Sequence, residues 1–174
     1  MTAVWTPPSL ISQYAETSAE DIHIPWNALE FSAVTAFDQQ RLGLNGVLSH
    51  IARSPKHDTL SKTYFLKFQG FNFNNLPDSI SGIEAKVCAD RRGRVTDDTI
   101  QLIVNNTAVG SNKANLNLDP IKYYGSLTDK WEVPSLTKEQ LADSSFGLLL
   151  RFKSHPKYPH RDPAFINSIE LRIY

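Results

Sequence analysis

The stretch that decides the fold runs from Ser79 to Asn115, SISGIEAKVCADRRGRVTDDTIQLIVNNTAVGSNKAN. Apolar and polar residues alternate over residues 83–87, which is the period of two expected for a strand with one buried face. Residues 99–104 repeat the alternation, with Ile100, Leu102 and Val104 on one side. The asparagine pair at 105–106 then predicts a turn. We therefore predict two β-strands, joined by a glycine-bearing turn, within a β-sandwich.

Length and composition indicate one ordinary globular domain. The chain has 174 residues, of which 41% are hydrophobic and 21% are charged. A domain of this size buries about two thirds of its unfolded surface and needs no disulfides or metals to fold. Lysine plus arginine and aspartate plus glutamate both number 18, so the formal net charge is zero. This balance argues against a nucleic-acid partner, because phosphate binding requires a basic face.

The cysteine count and the hydropathy pattern bear on the compartment. Cys88 is the single cysteine, so it forms no internal disulfide, and we predict a small buried hydrophobe. No apolar run approaches the ~20 residues needed to span a bilayer. Residues 1–8 lack the charged start and apolar core of a signal peptide. These features predict no membrane partner and a product that is made in the cytoplasm.

The N-terminal region predicts an extended arm over residues 1–25, followed by a sandwich domain over residues 26–174. Prolines 7, 8 and 25 interrupt the arm, and neither helical nor strand periodicity persists there. Its apolar side chains would be wasted in solvent, so we expect them to lie against either the chain's own domain or a neighbouring subunit.

Further strand and helix signals complete the predicted architecture. Residues 29–37 and 165–174 alternate, and residues 145–153 are strongly apolar. Residues 62–73 predict one long or bulged strand, because an internal glycine such as Gly70 often marks a bulge. Residues 39–51 are mixed. The one good helix signal is at 134–141, where Thr137 and Gln140 have the spacing of a capping box. The fold predicted is all-β, an antiparallel β-sandwich of jelly-roll type with at most one short helix.

Several of these segments together resemble a β-sandwich domain of tailed-bacteriophage virion proteins, in particular the capsid decoration, or cement, proteins and some tail or fibre modules. The shared marks are G-I-E-x-x-V at 82–87, V-x-D-x-x-I-x-L at 95–102, V-G-S-N-K-A at 109–114, Y-G-S-x-x-D-x-W at 124–131 and I-x-x-I-x-L-x-I-Y at 166–174. The resemblance covers about residues 26–174. The arm and the long 154–163 loop depart from it.

The resemblance implies a non-enzymatic structural protein of the virion, made in the host cytoplasm and located on the outer capsid surface. Its implied partners are the major capsid protein and copies of itself in a homotrimer, with no cofactor. The alternative is a receptor-binding or carbohydrate-binding tail module. We predict partner contacts for residues of the arm and of the 154–163 loop, which are Trp5, Pro7, Pro8, Leu10, Ile11, Tyr14, Tyr158, His160 and Arg161.

Two groups of residues could hold a metal ion, but another role suits each group better. His155, His160 and Asp162 could approach a metal, although the prolines of that loop fit an extended contact segment better. Asp90 with residues 97–98 could hold calcium, but the spacing matches no calcium loop, and pairing with the arginines at 91–94 is the simpler interpretation.

Two other hypotheses concern sugars. A glycosidase would need a carboxylate pair such as Glu84 with Asp98 or Asp129, yet any chain with 18 acids offers such pairs. Residues 123, 124 and 131, two tyrosines and a tryptophan, could stack on a sugar ring. Aromatic residues at strand ends more often complete the core.

Overall fold

The computed structural model describes residues 3–16, 22–26, 61–90, 95–154 and 165–174. It contains ten strands and one helix in these ranges: β1 Leu10–Tyr14, β2 Ile22–Ile24, β3 Ser61–Thr63, β4 Phe65–Gln69, β5 Ile83–Asp90, β6 Val95–Val104, β7 Thr107–Val109, β8 Ile121–Gly125, α1 Lys138–Ala142, β9 Gly147–Ser154 and β10 Phe165–Ile173. The predicted all-β fold with one short helix is confirmed for the described residues.

The strands form two sheets. In the larger sheet β9 is central and pairs antiparallel with β6 on one side and with β4 and β3 on the other. The pairings β1 to β4 and β6 to β7 are antiparallel, and the short β2 lies parallel to β3. The smaller sheet has the order β10, β5, β8 and is antiparallel throughout.

One hydrophobic core joins the facing sides of the two sheets. The larger sheet contributes the even-numbered residues of β4, of β9 and of the 100–104 half of β6. The smaller sheet contributes the odd-numbered residues of β5 and of the second half of β10. This parity is the alternation expected of strands with one buried face. The predicted faces at 83–87 and 99–104 are therefore confirmed, and the chain is a β-sandwich.

Two local predictions are also confirmed. Asn105 and Asn106 have φ of 50° and 63°, and they join β6 to β7 in a two-residue hairpin, where asparagine tolerates the left-handed region. At α1, the Thr137 hydroxyl accepts a hydrogen bond from the N–H of Gln140, whose side chain accepts one from the N–H of Thr137. This reciprocal pair is the predicted capping box.

Other predictions need correction. The 62–73 strand is wrong in its extent, because it is interrupted at Tyr64 and ends at Gln69. Gly70 follows with φ of 67° and approaches the N-terminal segment so closely that a Cβ there would lie 2.3 Å from the Ser9 hydroxyl. Gly70 thus ends the strand rather than bulging it. Four strands were not predicted from the sequence: β1 and β2 within the arm, β7 after the asparagine turn, and β8.

The two strands predicted within residues 79–115 do not pair with each other as a hairpin would. Strands β5 and β6 follow one another in the chain but belong to different sheets. Residues 91–94 between them, the segments 29–37 and 39–51, and most of the 154–163 loop lie outside the described residues. The jelly-roll connectivity and the division at residue 25 stay predictions.

Candidate functional site

The start of the chain forms a strap along one side of the sandwich, defined here as residues 3–14. Thr6 and Leu171 of β10 exchange two main-chain hydrogen bonds, at 2.8 and 2.9 Å. Three residues later the N–H of Ser9 donates to the carbonyl of Gln69 at 3.1 Å, and β1 continues along β4. The strap therefore occupies an edge of each sheet and satisfies backbone groups that an open edge would leave unpaired.

The strap contains six of the predicted partner-binding residues, and they differ in exposure. Pro8 is buried, Trp5 and Ile11 are half-buried, and Pro7, Leu10 and Tyr14 are exposed. The segment that carries them pairs with strands of the chain's own domain, which is one of the two placements expected. Their contact with a partner stays a prediction. The other three predicted residues, Tyr158, His160 and Arg161, lie outside the described residues.

Trp5 rests on charged side chains at the outer face of the smaller sheet. The Arg172 guanidinium carbon lies 4.3 Å from the Trp5 ring centroid, and the Lys86 Nζ lies 5.7 Å from it. The ring of Tyr123, which is 56% exposed, is 5.9 Å away. Arg172 also donates to Glu84 at 2.6 Å. Cation–π contacts and ion pairs thus hold this end of the strap.

Beside the strap lies a groove of about 470 Å³ between the strap, the 73–77 loop and the end of β10. Val4 and Leu127 line it and are 67% and 58% exposed. Leu76 and Pro77 add further apolar surface. We call the groove together with the exposed residues of the strap the strap surface.

A buried polar cluster, which sequence reasoning missed, connects the two sheets. The Lys122 Nζ lies 2.5 Å from Oδ2 of Asp97, and the Tyr124 hydroxyl donates to the same oxygen at 2.6 Å. Lys122 also donates to Oδ1 of Asn115 at 2.9 Å. The side chains of Lys122 and Asp97 are 4% and 0% exposed. A buried ion pair of this kind survives only with close partners, because desolvation of each charge is costly.

A β-bulge in β6 explains why the odd-numbered Asp97 points inward, although the even-numbered residues at 100–104 of the same strand face the core. The register with β9 shifts between Asp97 and Thr99, so two residues face one partner. Asp98 then lies on the outer face, where Arg151 Nε donates to it at 2.6 Å. Lys153 approaches it at 3.2 Å.

The calcium hypothesis for Asp90, Asp97 and Asp98 is therefore wrong. Two of its ligands lie on opposite faces of a sheet, and each already has a cationic partner. Those partners come from β8 and β9. The arginines at 91–94 lie outside the described residues, so pairing with them stays a prediction. Among the described residues, no group of three histidine, cysteine or carboxylate side chains is placed to hold a metal ion. The candidate ligands His155, His160 and Asp162 lie outside the described residues.

The predicted aromatic platform is wrong for two of its three members. Trp131 is completely buried and donates its indole N–H to the carbonyl of Ile83 at 2.8 Å. Tyr124 is also buried, with its hydroxyl on Asp97, so only Tyr123 is exposed. The core role that aromatic residues at strand ends commonly have is the observed one.

The candidate pair Glu84 and Asp98 does not share a cleft. Glu84 lies on the outer face of the smaller sheet and bonds to Arg172, whereas Asp98 lies on the outer face of the larger sheet. Asp129 carries an ion pair with Lys113 at 2.8 Å. Partial burial opposes ionisation of Asp129, but hydrogen bonds from Lys113 and from the Trp131 N–H outweigh it and hold the pKa of Asp129 below its usual value.

Comparison with family models, with curated proteins and with solved structures found no match. Within the described ranges, no helix has the length and apolar character required to cross a membrane.

Proposed function

We propose that this protein is a non-enzymatic structural component of a tailed-bacteriophage virion, a decoration protein that binds the major capsid protein lattice from outside and stabilises it. The motif succession described above supports the virion assignment, and the β-sandwich is compatible with it. Binding only the assembled lattice would disfavour dissociation of the shell by mass action. Self-association as a homotrimer belongs to the same proposal, and sedimentation velocity of the purified protein tests it.

The strap surface is the observation that carries the proposal. Six large apolar side chains are exposed among the described residues, and four of them, Val4, Leu10, Tyr14 and Leu127, lie on the strap or in its groove. Concentration of exposed apolar side chains in one region marks a protein contact more often than scattered ones do. Burial of such surface contributes about 25 cal/mol per Å² before ordering costs.

Co-sedimentation with heads of the source phage, prepared without this protein, tests the proposal. We expect the wild type to bind heads, and a variant with Val4→Ser, Leu10→Ser and Leu127→Ser to bind over a hundredfold more weakly. The expectation follows because burying each such side chain contributes about 1.5–3 kcal/mol. Point substitutions are preferable to deleting residues 1–20, because the deletion would remove strand β1 and uncover an edge of the larger sheet.

Leu116→Ser provides the matched control. Leu116 is 52% exposed but precedes β8, the edge strand on the other side of the smaller sheet from β10. The Leu116→Ser substitution should therefore leave binding to phage heads unchanged. Equal binding by the triple variant and the wild type would show that the strap surface does not contact the head. Absence of the wild-type protein from imaged heads would exclude the decoration role.

The second candidate is a carbohydrate-binding or receptor-binding tail module, and the exposed Tyr123 beside Trp5 favours it. Two aromatic rings 5.9 Å apart, with Lys86 and Arg172 beneath Trp5, resemble the stacking surfaces on which sugars bind. A glycan array would support this candidate if specific binding disappeared with Tyr123→Ala and persisted with Leu116→Ala.

A further inference from the structure

Three side chains of the buried polar cluster supply the groups needed to form an amide bond between two side chains. Lys122 supplies an amine, Asn115 a carboxamide and Asp97 a carboxyl group, and Nζ of Lys122 lies within 3 Å of an oxygen of each of the other two. Neither the virion role nor the strap uses this cluster. A lysine amine held against a carboxamide by a buried acid can form an amide bond without an enzyme, because proximity replaces a bimolecular encounter.

The geometry also holds the carboxamide in place and polarises it. Oδ1 of Asn115 accepts hydrogen bonds from Lys122 and, at 3.0 Å, from the backbone N–H of Asn117. The carbonyl of Asn115 accepts from the Thr96 hydroxyl at 2.9 Å. The Asn117 N–H is a fixed donor at the oxygen where negative charge develops during attack on the adjoining carbon.

The contact between Lys122 and Asp97 provides a direct path for proton transfer, because Nζ lies 2.5 Å from Oδ2. Transfer of one proton along it converts the ammonium group of Lys122 into a free amine. The amine that results is a nucleophile, whereas the ammonium form is not. Asn115 itself lies at the exposed end of the cluster, so that a small leaving group has a route to solvent.

We propose that Lys122 and Asn115 become joined by an intramolecular isopeptide bond, with Asp97 as the proton-transfer group. The Lys122 Nζ gives a proton to Asp97 and attacks Cγ of Asn115, forming a tetrahedral intermediate whose oxyanion bonds to the Asn117 N–H. Asp97 relays a proton from Nζ to the amide nitrogen, the bond from Cγ to Nδ2 breaks, and ammonia leaves. The net change is formation of one C–N bond and loss of one ammonia, with no oxidation or reduction.

Such a bond would tie the loop before β8 to that strand and make the pairing between Lys122 and Asn115 permanent. The closed loop is short, so its effect on the unfolded chain is smaller than that of a long loop. Its main consequence is local: the end of β8 that faces Asp97 in the other sheet would no longer fray.

Intact-mass spectrometry of the purified full-length chain, after incubation at neutral pH, tests the proposal. We expect the mass to fall below that of the sequence by one ammonia, after allowance for removal of Met1. Trypsin should then fail to cleave after Lys122 and should release residues 114–130 as one peptide lacking ammonia. The full sequence mass in the wild type, with normal cleavage after Lys122, would overturn the proposal.

Variants separate this reaction from succinimide formation at Asn115, which also releases ammonia. Lys122→Met should abolish the ammonia loss, whereas a succinimide would persist in that variant and would open in hydroxylamine. Asn115→Ala alters an exposed residue, so this variant should fold even if variants at Asp97 or Lys122 do not. Its measured mass should equal that calculated from its sequence, without loss of ammonia. Asn117→Ala keeps the backbone donor and should still lose ammonia. Ammonia loss in Asn115→Ala would contradict the assignment.

Discussion

Replacement of Trp131 by phenylalanine should destabilise the sandwich by about 2–4 kcal/mol. The indole donates to the Ile83 carbonyl at 2.8 Å inside the core, and phenylalanine would leave that buried acceptor without its donor, at a cost of about 1–3 kcal/mol. The missing part of the ring leaves a void that adds about 1 kcal/mol. Urea unfolding followed by far-UV circular dichroism measures the change. With an m-value of about 2 kcal/mol per molar, the midpoint should fall by about 1–2 M.

Trp5→Phe is the matched control, because Trp5 is half-buried at the surface and rests on Arg172 and Lys86. The weaker cation–π contacts of phenylalanine should cost no more than about 1 kcal/mol. The m-value should stay the same in both variants, since neither alters the surface exposed on unfolding. If Trp131→Phe and Trp5→Phe shifted the midpoint equally, the bond to Ile83 and the burial of Trp131 could not be the reasons for the effect, and the core role derived for Trp131 would be refuted.

Three further predictions concern the same end of the sandwich. Gly125→Ala should destabilise the domain by at least about 2 kcal/mol in the same urea assay, because φ is 79° and the new Cβ would lie 2.2 Å from the Ile83 carbonyl oxygen. An unchanged midpoint would contradict the close approach. Asp129→Asn should make the free energy of unfolding less dependent on pH at acid pH. The lowered pKa of Asp129 gives stabilisation that is present above the unfolded value of 3.8 and is lost as pH falls through the folded pKa. Urea midpoints measured downward from pH 5 test this, and an identical slope in the variant would exclude the contribution from Lys113 pairing. Glu132→Gly should stabilise the domain by about 1 kcal/mol, since Glu132 has φ of 60° and glycine adopts that region without strain. A thermal melt that shifts downward would contradict this expectation.

The sequence by itself determined the local features of the fold. The alternation of apolar and polar residues predicted which faces of β5 and β6 are buried, because successive side chains of a strand point to opposite faces of the sheet. The capping box at Thr137 and the turn at residues 105–106 were also predictable, since their hydrogen bonds and φ values involve residues within a few positions of each other.

Only the tertiary structure decided which distant segments meet. Asp97 and Lys122 are adjacent because a bulge in one sheet turns a carboxylate inward opposite a strand of the other sheet, and no local pattern reports both events. Placement of the strap and burial of Trp131 likewise depend on contacts with residues 48 or more positions away. Side-chain period is a property of one strand, whereas sheet order and cross-sheet contacts arise from the competition of all strands for the same core.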